Sequence, residues 1–282
     1  MKNNLCLDPS LPLEAEIVEI IHNSSTIFTL KLRFVEPECK KFFYFHPGQF
    51  NMLYLYGVGE VAISIVSDPK EKNIFSHTIR AIGRVTSAMQ KLVAGDKIGV
   101  RGPFGIGWPL DEAKEKDIVI ITGGLGCAPS VSVINYIIAR REQYGSLKIL
   151  QGVKHSDDFI FQKQYVKWKS HKNTEVFVAA DVAGPRWPWG VGYVTDMIES
   201  IELKEDNTIA MMCGPRMMMH SAINALNKKN IADEHMYLSM ERNMECGTGK
   251  CGHCQYGKYF ICKDGPIFAY SKIKSLFAVA GF

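Results

Sequence analysis

A small β-barrel, a parallel α/β domain and a short cysteine-rich extension, in that order, are the fold class that the sequence predicts. Apolar and polar residues alternate in the first third of the chain, and strand-sized apolar runs alternate with helical stretches in the middle. Four closely spaced cysteines stand near the C-terminus. The expected segments are 1–112, 113–234 and 235–282, and 282 residues are enough for about two domains.

The first segment carries the signal of many short strands. Residues 26–34 alternate apolar and polar side chains, which is the period of a half-buried strand. Turns with proline and glycine separate this run from further expected strands at 50–55, 61–66, 77–82 and 97–101. One helix interrupts them, with Thr86 as the expected N-cap and Gly95 just beyond its C-terminal end. Many short strands at this spacing predict a small β-barrel.

The middle segment changes to buried strands that alternate with helices. Apolar runs of strand length are found at 118–122, 147–153, 175–180 and 208–213. Helical stretches at 131–141 and 216–229 lie between or after them. This alternation predicts a parallel sheet covered by helices. The charged run 111–117 is the expected linker to the barrel.

A glycine-rich turn follows the first strand of that sheet. Gly123, Gly124 and Gly126 lie between the strand and a helix whose first turn suits Pro129. Such a turn lets a pyrophosphate approach backbone N–H groups at the positive end of a helix. The run departs from the full G-x-G-x-x-G fingerprint, so a tight strand-to-helix turn without a ligand is the alternative.

The last parallel strand ends in a second short motif, Cys213, Gly214 and Pro215, directly before another helix. Ligands of open α/β sheets bind outside the carboxyl ends of the strands, so Cys213 and the Gly123 turn are expected to face one crevice. A lone Cys-Gly-Pro more often serves packing than chemistry. Beside a nucleotide site it is expected to lie near a reacting nicotinamide ring, which makes Cys213 a candidate catalytic residue.

The four cysteines near the C-terminus have the spacing C-x4-C-x2-C-x7-C and are Cys246, Cys251, Cys254 and Cys262. The first three reproduce the run of plant-type ferredoxins, and the fourth completes a [2Fe-2S] ligand set. Glycines between them allow tight turns that point N–H groups at cluster sulfurs. The alternative is a zinc site with four cysteine ligands, which usually needs two separated C-x2-C pairs, whereas this chain has one.

The order of these features resembles the ferredoxin-NADP reductase superfamily over nearly the whole chain. Within it, the segments 240–254 and 262–266 resemble the gamma subunits of cytosolic nickel-iron hydrogenase/sulfur reductases. They are similar also to the FAD-carrying subunit of anaerobic sulfite reductase and, more distantly, to the electron-transfer subunit of dihydroorotate dehydrogenase. The resemblance implies FAD, NAD(P) and one [2Fe-2S] cluster as cofactors.

The resemblance implies that the barrel binds the flavin. The superfamily's R-x-Y-S motif falls on 61–64, so Ser64 keeps the hydroxyl expected near flavin N5, and Ile63 would lie against the ring. Ser64 is therefore the second candidate catalytic residue, although a serine on a strand face needs no such role. Val61 replaces the motif's arginine, and Arg80 or Arg84 is expected to supply the missing charge for a phosphate.

Two further positions concern the phosphates of the cofactors. The flavin motif G-x-x-S/T is matched by Gly83 to Thr86, with Val85 inside it, and it opens the predicted helix where local N–H groups favour an anion. Lys154 stands where relatives often place an arginine. A cation there could meet the 2′-phosphate of NADP, but acidic residues follow in the same loop, so the nucleotide is left as NAD(P).

The implied cofactors specify a function through their electron counts. A nicotinamide delivers a hydride, an iron-sulfur cluster takes one electron and a flavin does both, so the chain is expected to relay electrons as a diaphorase. The expected partner is a separate catalytic subunit, a nickel-iron hydrogenase or sulfur reductase, with sulfite reductase and dihydroorotate dehydrogenase as alternatives. A further iron-sulfur subunit in the complex is left open. The non-enzyme alternative is a zinc-stabilised nucleotide-binding regulator.

Composition limits the location and the partners. The net charge is +4, from 33 basic and 29 acidic residues that do not cluster, which disfavours nucleic acid as a partner. No apolar run has the length of a membrane span, and no signal-peptide pattern is recognised. The expected location is the cytoplasm. Because a cluster needs an electron acceptor, we expect the chain to work in a hetero-oligomeric complex.

Overall fold

The structure, a computed structural model, describes residues 8–71 and 73–279, and these form two compact units. The first unit holds the described residues up to Gly107 together with Glu241–Pro266. The second holds Trp108–Met240 and the described residues from Ile267 onward. This division differs from the three consecutive segments of the prediction. Region 235–282 is shared between the units because strands near both of its ends pair in the sheet of the second unit.

The first unit begins with the predicted strands. Up to Gly107, the described residues form six strands and two short α-helices: β1 (Leu13–His22), β2 (Ile27–Phe34), α1 (Pro37–Phe42), β3 (Phe50–Leu55), β4 (Gly59–Ser64), β5 (Phe75–Arg80), α2 (Arg84–Met89) and β6 (Lys97–Phe104). The strands form an antiparallel sheet in the order β4-β3-β6-β1-β2-β5. The Val66 N–H donates to the Ser76 carbonyl at 2.9 Å, which joins the two edges and closes the barrel at this end.

The core of the barrel uses the apolar half of the alternating pattern. Phe28, Leu30 and Leu32 of β2 are fully buried. Burying side chains of this size supplies about 1.5–3 kcal/mol each relative to leaving them exposed. The strand-like alternation of residues 26–34 therefore has the physical cause that the sequence suggested.

The helix of the barrel begins earlier than predicted. The N-cap of α2 is Gly83, and the Gly83 N–H donates to the Thr86 hydroxyl oxygen at 3.0 Å. Thr86 is therefore already inside the helix, and its prediction as the N-cap was wrong. The helix ends at Met89, and Gly95, with a φ of +94°, lies in the turn before β6.

The second unit is built on a central parallel sheet. Between Trp108 and Met240 the described residues form six strands and four α-helices: β7 (Asp117–Gly123), α3 (Cys127–Ile138), β8 (Leu147–His155), α4 (Gln162–Lys169), β9 (Thr174–Val182), β10 (Gly190–Val191), α5 (Val194–Ser200), β11 (Thr208–Cys213), α6 (Arg216–Lys228) and β12 (Met236–Ser239). Every residue of β7 is buried, which explains the apolar run from 118 to 122.

The chain after Met240 visits both units. The first unit contains β13 (Gln255–Tyr256), β14 (Tyr259–Phe260) and α7 (Ile261–Asp264), and the second contains β15 (Ile267–Ala269) and α8 (Tyr270–Phe277). The sheet of the second unit has the order β10-β9-β8-β7-β11-β12-β15. Its pairs are parallel except for β12 with β15.

The helix α8 packs on the second unit of its own chain. Arg216, at the start of α6, donates to the Phe277 carbonyl at 2.6 Å. The Phe277 ring also stacks on His220, with 6.3 Å between the ring centroids. Within 8–71 and 73–279, no helix combines the length and the apolar character needed to cross a membrane.

Candidate cofactor sites

The glycine turn (residues 123–126) lies beside the Cys213 motif in the second unit. β7 and β11 are neighbouring parallel strands in which Thr122 is paired with Cys213. Gly126 comes so close that a Cβ atom on it would lie 2.4 Å from the Cys213 carbonyl oxygen. A Cβ atom on Gly214 would lie 2.9 Å from the Gly123 nitrogen. The two motifs form one group at the carboxyl ends of adjacent strands, where open α/β sheets bind ligands.

The glycines of this turn are needed for different reasons. Gly124 has a φ of +54°, in the left-handed region, and no atom within 4 Å of a Cβ built on it. Gly123 is required by crowding instead, since a Cβ atom on it would lie 2.7 Å from the Met218 sulfur. The chain then passes through a single 3-10 turn, Gly124–Gly126, into α3. The first N–H groups of α3 therefore lie at this turn, as an anion site requires.

A buried hydrogen-bond network holds the turn in place. Gln151 on β8 is 1% exposed, and its Nε2 donates to the carbonyls of Gly124 at 3.1 Å and Gly152 at 2.9 Å. Its Oε1 accepts from the Tyr165 hydroxyl at 3.2 Å and from the Thr122 hydroxyl. Both amide protons and both lone pairs of Gln151 are thus used. The side chain fixes the direction of the Gly124 carbonyl, and with it the shape of the turn.

The other residues predicted for the nucleotide lie at the same edge of the sheet. Cys213 is only 2% exposed, Gly214 is half-buried and Pro215 is exposed. Lys154 is exposed near the end of β8, the strand paired with β7. The loop after it keeps both charge signs near the strand end, since the Asp158 carboxylate accepts the His155 N–H at 3.3 Å.

On the barrel, Ile63 and Ser64 are half-buried residues at the end of β4. Ser64 is paired with Phe50 on β3, and Ile63 is paired with Asn51. The Ser64 carbonyl accepts a hydrogen bond from Nδ1 of His77 at 2.9 Å. The segment that the flavin motif identifies is therefore tied to β5 as well as to β3.

His77 is a fully buried, neutral residue that holds the end of β4. Because the Ser64 carbonyl can only accept, Nδ1 of His77 carries the proton, and Nε2 accepts from the Asn51 side-chain amide at 3.1 Å. Burial lowers the pKa of His77 to about 4, although its backbone hydrogen bonds act in the opposite direction. At neutral pH the ring positions Ser64 without carrying a charge.

The predicted flavin-phosphate residues surround the start of α2. Thr86 is buried and binds the Gly83 N–H, so its hydroxyl shapes the turn that opens the helix. Val85 packs against the barrel core. Arg84 is exposed and donates to a carbonyl in the turn between β3 and β4 at 2.8 Å, and Arg80 is exposed at the end of β5. Both arginines are thus on the surface, where a phosphate could meet them.

The cysteine loop (residues 246–262) points backbone N–H groups at the cysteine sulfurs. Five such groups in the described loop lie within hydrogen-bond distance of Sγ atoms: Thr248 and Lys250 of Cys246 at 3.4 and 3.3 Å, Gly249 of Cys262 at 3.1 Å, His253 of Cys251 at 3.5 Å, and Cys262 of Cys254 at 3.4 Å. Three glycines make these directions possible, because Gly247, Gly249 and Gly252 have φ values of +74°, +73° and +78°.

The four cysteines come as two pairs, Cys246 with Cys251 and Cys254 with Cys262, whose side chains are within hydrogen-bond reach of each other. Burial raises the pKa of Cys246, but the N–H groups of the loop and the Cys251 side chain together lower it to about 5. Burial and then the Cys254 thiol raise the pKa of Cys262, and the Gly249 N–H opposes them. Cys251 is exposed.

This arrangement fits a [2Fe-2S] cluster. Such a cluster takes four cysteine thiolates over two irons, and N–H groups directed at sulfur stabilise it. The donors in the loop are of that kind, and the low pKa of Cys246 favours the thiolate that a metal needs. Within the described residues, no group of three or more His, Cys, Asp or Glu side chains surrounds a single-ion position. The residues that would hold the cluster are Cys246, Cys251, Cys254 and Cys262.

Three residues of these sites have no place in the sequence prediction. They are His77, Gln151 and Arg101, whose guanidinium donates to the Cys246 carbonyl at 2.8 Å. A single polar residue inside an apolar strand run was the available signal for Gln151. Arg101 was counted only as the last residue of a strand, and nothing local distinguished it from a surface arginine.

Two family profiles match the chain. One described as "Oxidoreductase NAD-binding domain" covers residues 120–223, which include the glycine turn and the Cys213 motif. The other, "Iron-sulfur cluster binding domain of dihydroorotate dehydrogenase B", covers residues 241–274, which include the four cysteines. The matched ranges coincide with the two sites that the structure builds from glycine and cysteine.

Similarity to named proteins extends over most of the chain. Sulfhydrogenase 1 subunit gamma of Pyrococcus furiosus is 37% identical over 273 residues, which is 94% of each chain. A probable dihydroorotate dehydrogenase B (NAD(+)) electron transfer subunit of Methanocella arvoryzae is 33% identical over 261 residues, 91% of this chain and 90% of that one.

The fold is also found among solved structures. An NADH-dependent reduced ferredoxin-NADP oxidoreductase, described for flavin-based electron bifurcation, matches with a TM-score of 0.73 at 21% identity, over 94% of this chain and 92% of that one. This likeness establishes a ferredoxin-NADP reductase-like fold. With the sequence identities and the two profiles, it follows that the chain belongs to the family of electron-transfer subunits that includes the sulfhydrogenase gamma subunits and the dihydroorotate dehydrogenase B electron-transfer subunits.

Proposed function

We propose that this chain is the NAD(P)H-linked electron-transfer subunit of a hetero-oligomeric redox complex. In this proposal FAD binds to the barrel, NAD(P) binds at the glycine turn and a [2Fe-2S] cluster binds in the cysteine loop. The observation that carries the proposal is the loop itself, where N–H groups are directed at four paired cysteine sulfurs. The NAD-binding profile on residues 120–223 supplies the electron donor.

When bound, the cofactors supply the redox chemistry: nicotinamide exchanges a hydride, the cluster exchanges single electrons and a flavin can do both. The residues of the chain bind and orient them. His77 keeps Ser64 at a fixed place on β4, and Gln151 keeps the glycine turn in one shape beside Cys213. Hydride transfer needs no general acid or base, which agrees with a neutral His77 and a buried Cys213.

The identity of the partner is the finer part of this proposal. The higher identity to a sulfhydrogenase gamma subunit supports a catalytic subunit with hydrogenase or sulfur-reducing chemistry. A dihydroorotate dehydrogenase is the second candidate, because the profile on residues 241–274 and a 33% identical relative both carry that name. We propose the cytoplasm as the location, since reduced pyridine nucleotides are supplied there.

Cofactor content is the first test of this proposal. The protein is purified anaerobically, and iron, zinc and extracted flavin are measured per chain before NADH and then NADPH are added. About two irons and one FAD per chain, bleached by one of the nucleotides, are expected. Zinc without flavin would contradict the proposal and leave a nucleotide-binding regulator.

The partner is tested by copurification. The chain carries an affinity tag in its own cells, and the purified complex is assayed for NAD(P)H-dependent sulfur reduction, for hydrogen oxidation and for turnover of orotate. Sulfur or hydrogen activity is expected. Turnover of orotate alone would move the assignment to the dihydroorotate branch, while the relay within this chain would stay the same.

A further inference from the structure

Arg101 is a buried charge of the barrel whose contacts lead to the cysteine loop. It lies on β6, and its side chain is 8% exposed. Glu60 on β4 accepts two of its hydrogen bonds, from Nε to Oε1 at 2.8 Å and from Nη2 to Oε2 at 2.6 Å. This two-point contact between guanidinium and carboxylate is the strong form of the ion pair.

The remaining donors of Arg101 go to backbone carbonyls. Nη1 donates to Pro9 at 3.0 Å and to Cys246 at 2.8 Å, and Nη2 donates to Glu245 at 2.9 Å. A guanidinium has five N–H donors, and these contacts with the two to Glu60 use all of them. Two of the five hold consecutive carbonyls at the first cysteine of the loop.

The same strand contacts the next residue of the loop. Gly247 has a φ of +74°, and a Cβ atom on it would lie 2.8 Å from the ring of Phe104. The Arg101 guanidinium lies over this ring, 5.7 Å from its centroid. β6 therefore contacts the loop at Cys246 through hydrogen bonds and at Gly247 through an aromatic ring.

We propose that Arg101 is the positioning residue of the iron-sulfur cluster, fixing the backbone of Cys246, and that the Arg101–Glu60 pair sets the charge beside that ligand. The proposal rests on the cluster site proposed for the four cysteines and goes beyond it. Arg101 is separated from Cys246 by 145 positions in the sequence and belongs to no part of the cysteine motif.

Holding the two carbonyls determines how the loop continues. The Cys246 sulfur lies within hydrogen-bond distance of the N–H groups of Thr248 and Lys250, at 3.4 and 3.3 Å, and both follow the turn at Gly247. A shift of the Cys246 backbone would lengthen both contacts and move the ligand atom. Contacts that orient a ligand in this way are typically worth 10–100-fold in metal affinity.

Charge gives a second signature. Reduction adds negative charge to a cluster, and an uncompensated cation nearby stabilises that charge. Glu60→Gln leaves the guanidinium without its counter-ion, so the reduction potential of the cluster should rise. Arg101→Gln leaves the Glu60 carboxylate in its place, so the potential should fall.

The experiment compares full-length, anaerobically purified wild type with Arg101→Gln, Arg101→Lys and Glu60→Gln. Arg33→Gln is the matched control, because Arg33 pairs with Glu16 on the exposed face of the same sheet. The readouts are the rate of iron release to a chelator and the cluster potential from a titration followed by electron paramagnetic resonance. We expect about tenfold faster iron release in both Arg101 variants, since lysine cannot reproduce the fork of donors. The potential should fall in Arg101→Gln and rise in Glu60→Gln, and the control should match wild type.

Unchanged iron release and unchanged potential in these three variants would overturn the proposal. If the Arg101 variants do not fold, as judged by flavin content and thermal unfolding, Glu60→Gln decides, and a potential equal to that of wild type overturns it. A wild-type protein without an iron-sulfur cluster is a different result, because it contradicts the proposed function before any variant is made.

Discussion

The cysteine loop and the glycine turn both depend on glycine, but for opposite reasons. In the cysteine loop, Gly247, Gly249 and Gly252 have φ values between +73° and +78°, so glycine is needed for the shape of the loop's own backbone. In the glycine turn, Gly126 has an ordinary helical φ of −58°. It is needed because a side chain there would overlap the carbonyl of Cys213 on the neighbouring strand.

The support behind the two loops differs in the same way. A charged residue, Arg101, holds the cysteine loop from an adjacent strand, and one of its four cysteines, Cys251, is exposed. A neutral amide, Gln151, holds the glycine turn from inside the sheet, where every contact is buried. The difference teaches that damage to the cysteine loop should stay local, whereas damage to the glycine turn should spread into the sheet.

The largest effect is expected from Cys251→Ser, which should abolish the cluster. Serine is a poor ligand for iron, and the exposed position of Cys251 lets its removal spare the barrel core. Iron per chain should fall to background, while flavin content and NAD(P)H-to-dye activity are retained. His253→Gln is the control, since the His253 ring faces Glu245 at 3.4 Å rather than a sulfur. Loss of flavin together with iron would break the local picture.

Gly126→Ala should be nearly as damaging, but to the second unit. Its Cβ would lie 2.4 Å from backbone, which cannot move as a side-chain tip can. Overpacking of this kind costs about 1–3 kcal/mol, equivalent to about 100-fold in NAD(P)H affinity at the upper end. Fluorescence titration with NADH and urea unfolding measure the two consequences. Gly124→Ala is the matched variant: it meets no atom within 4 Å, and its φ of +54° costs about 1–2 kcal/mol. Equal affinities in the two variants would contradict the steric explanation.

Gln151→Met should have a smaller effect on the same turn. It removes four hydrogen bonds but keeps the volume, and it leaves buried polar groups of Thr122 and Tyr165 without this partner, at a cost of about 1–3 kcal/mol. The KM for NAD(P)H in dye reduction should rise several-fold while kcat at saturation is unchanged. The exposed Gln143→Met is the control. A fall in kcat with an unchanged KM would show that Gln151 does not act through the turn.

The smallest effect at neutral pH concerns His77 in the barrel. Its pKa is about 4 when folded, against an ordinary value of 6.5, because the ring is buried. The unfolded chain therefore binds the extra proton between these values, and the free energy of unfolding should fall as pH drops from 6.5 toward 4. The slope from this residue is at most about 1.4 kcal/mol per pH unit.

Urea unfolding across this pH range checks the effect. His77→Gln should lose this part of the pH dependence, and the exposed His22→Gln on β1 should keep it. Parallel curves for wild type and His77→Gln would contradict the assignment of a buried neutral ring.

The sequence predicted the elements whose signal is local. The strands β3 and β11 have the predicted bounds, because apolar runs flanked by turn residues show their period without tertiary information. The strands β12 and β15, of four and three residues, were not predicted. Elements so short depend on pairing with distant strands, and no local pattern records that pairing.

The same division applies to the sites. Four cysteines at fixed spacing and glycines at a strand-to-helix turn are local patterns, so their residues could be named from the sequence. Arg101, Gln151 and His77 act on carbonyls that are distant in sequence or on other strands. Each is one polar residue in a strand, and its role follows only from the register that brings it beside a loop.

The relay within one chain is tested most directly by adding NADH, and separately NADPH, to the anaerobic protein and following flavin absorbance and the paramagnetic signal of the cluster together. We expect one nucleotide to bleach the flavin and to produce the signal of the reduced cluster in wild type. In Cys251→Ser the bleaching should remain without the signal. Bleaching in wild type that never produces a cluster signal would contradict the electron relay.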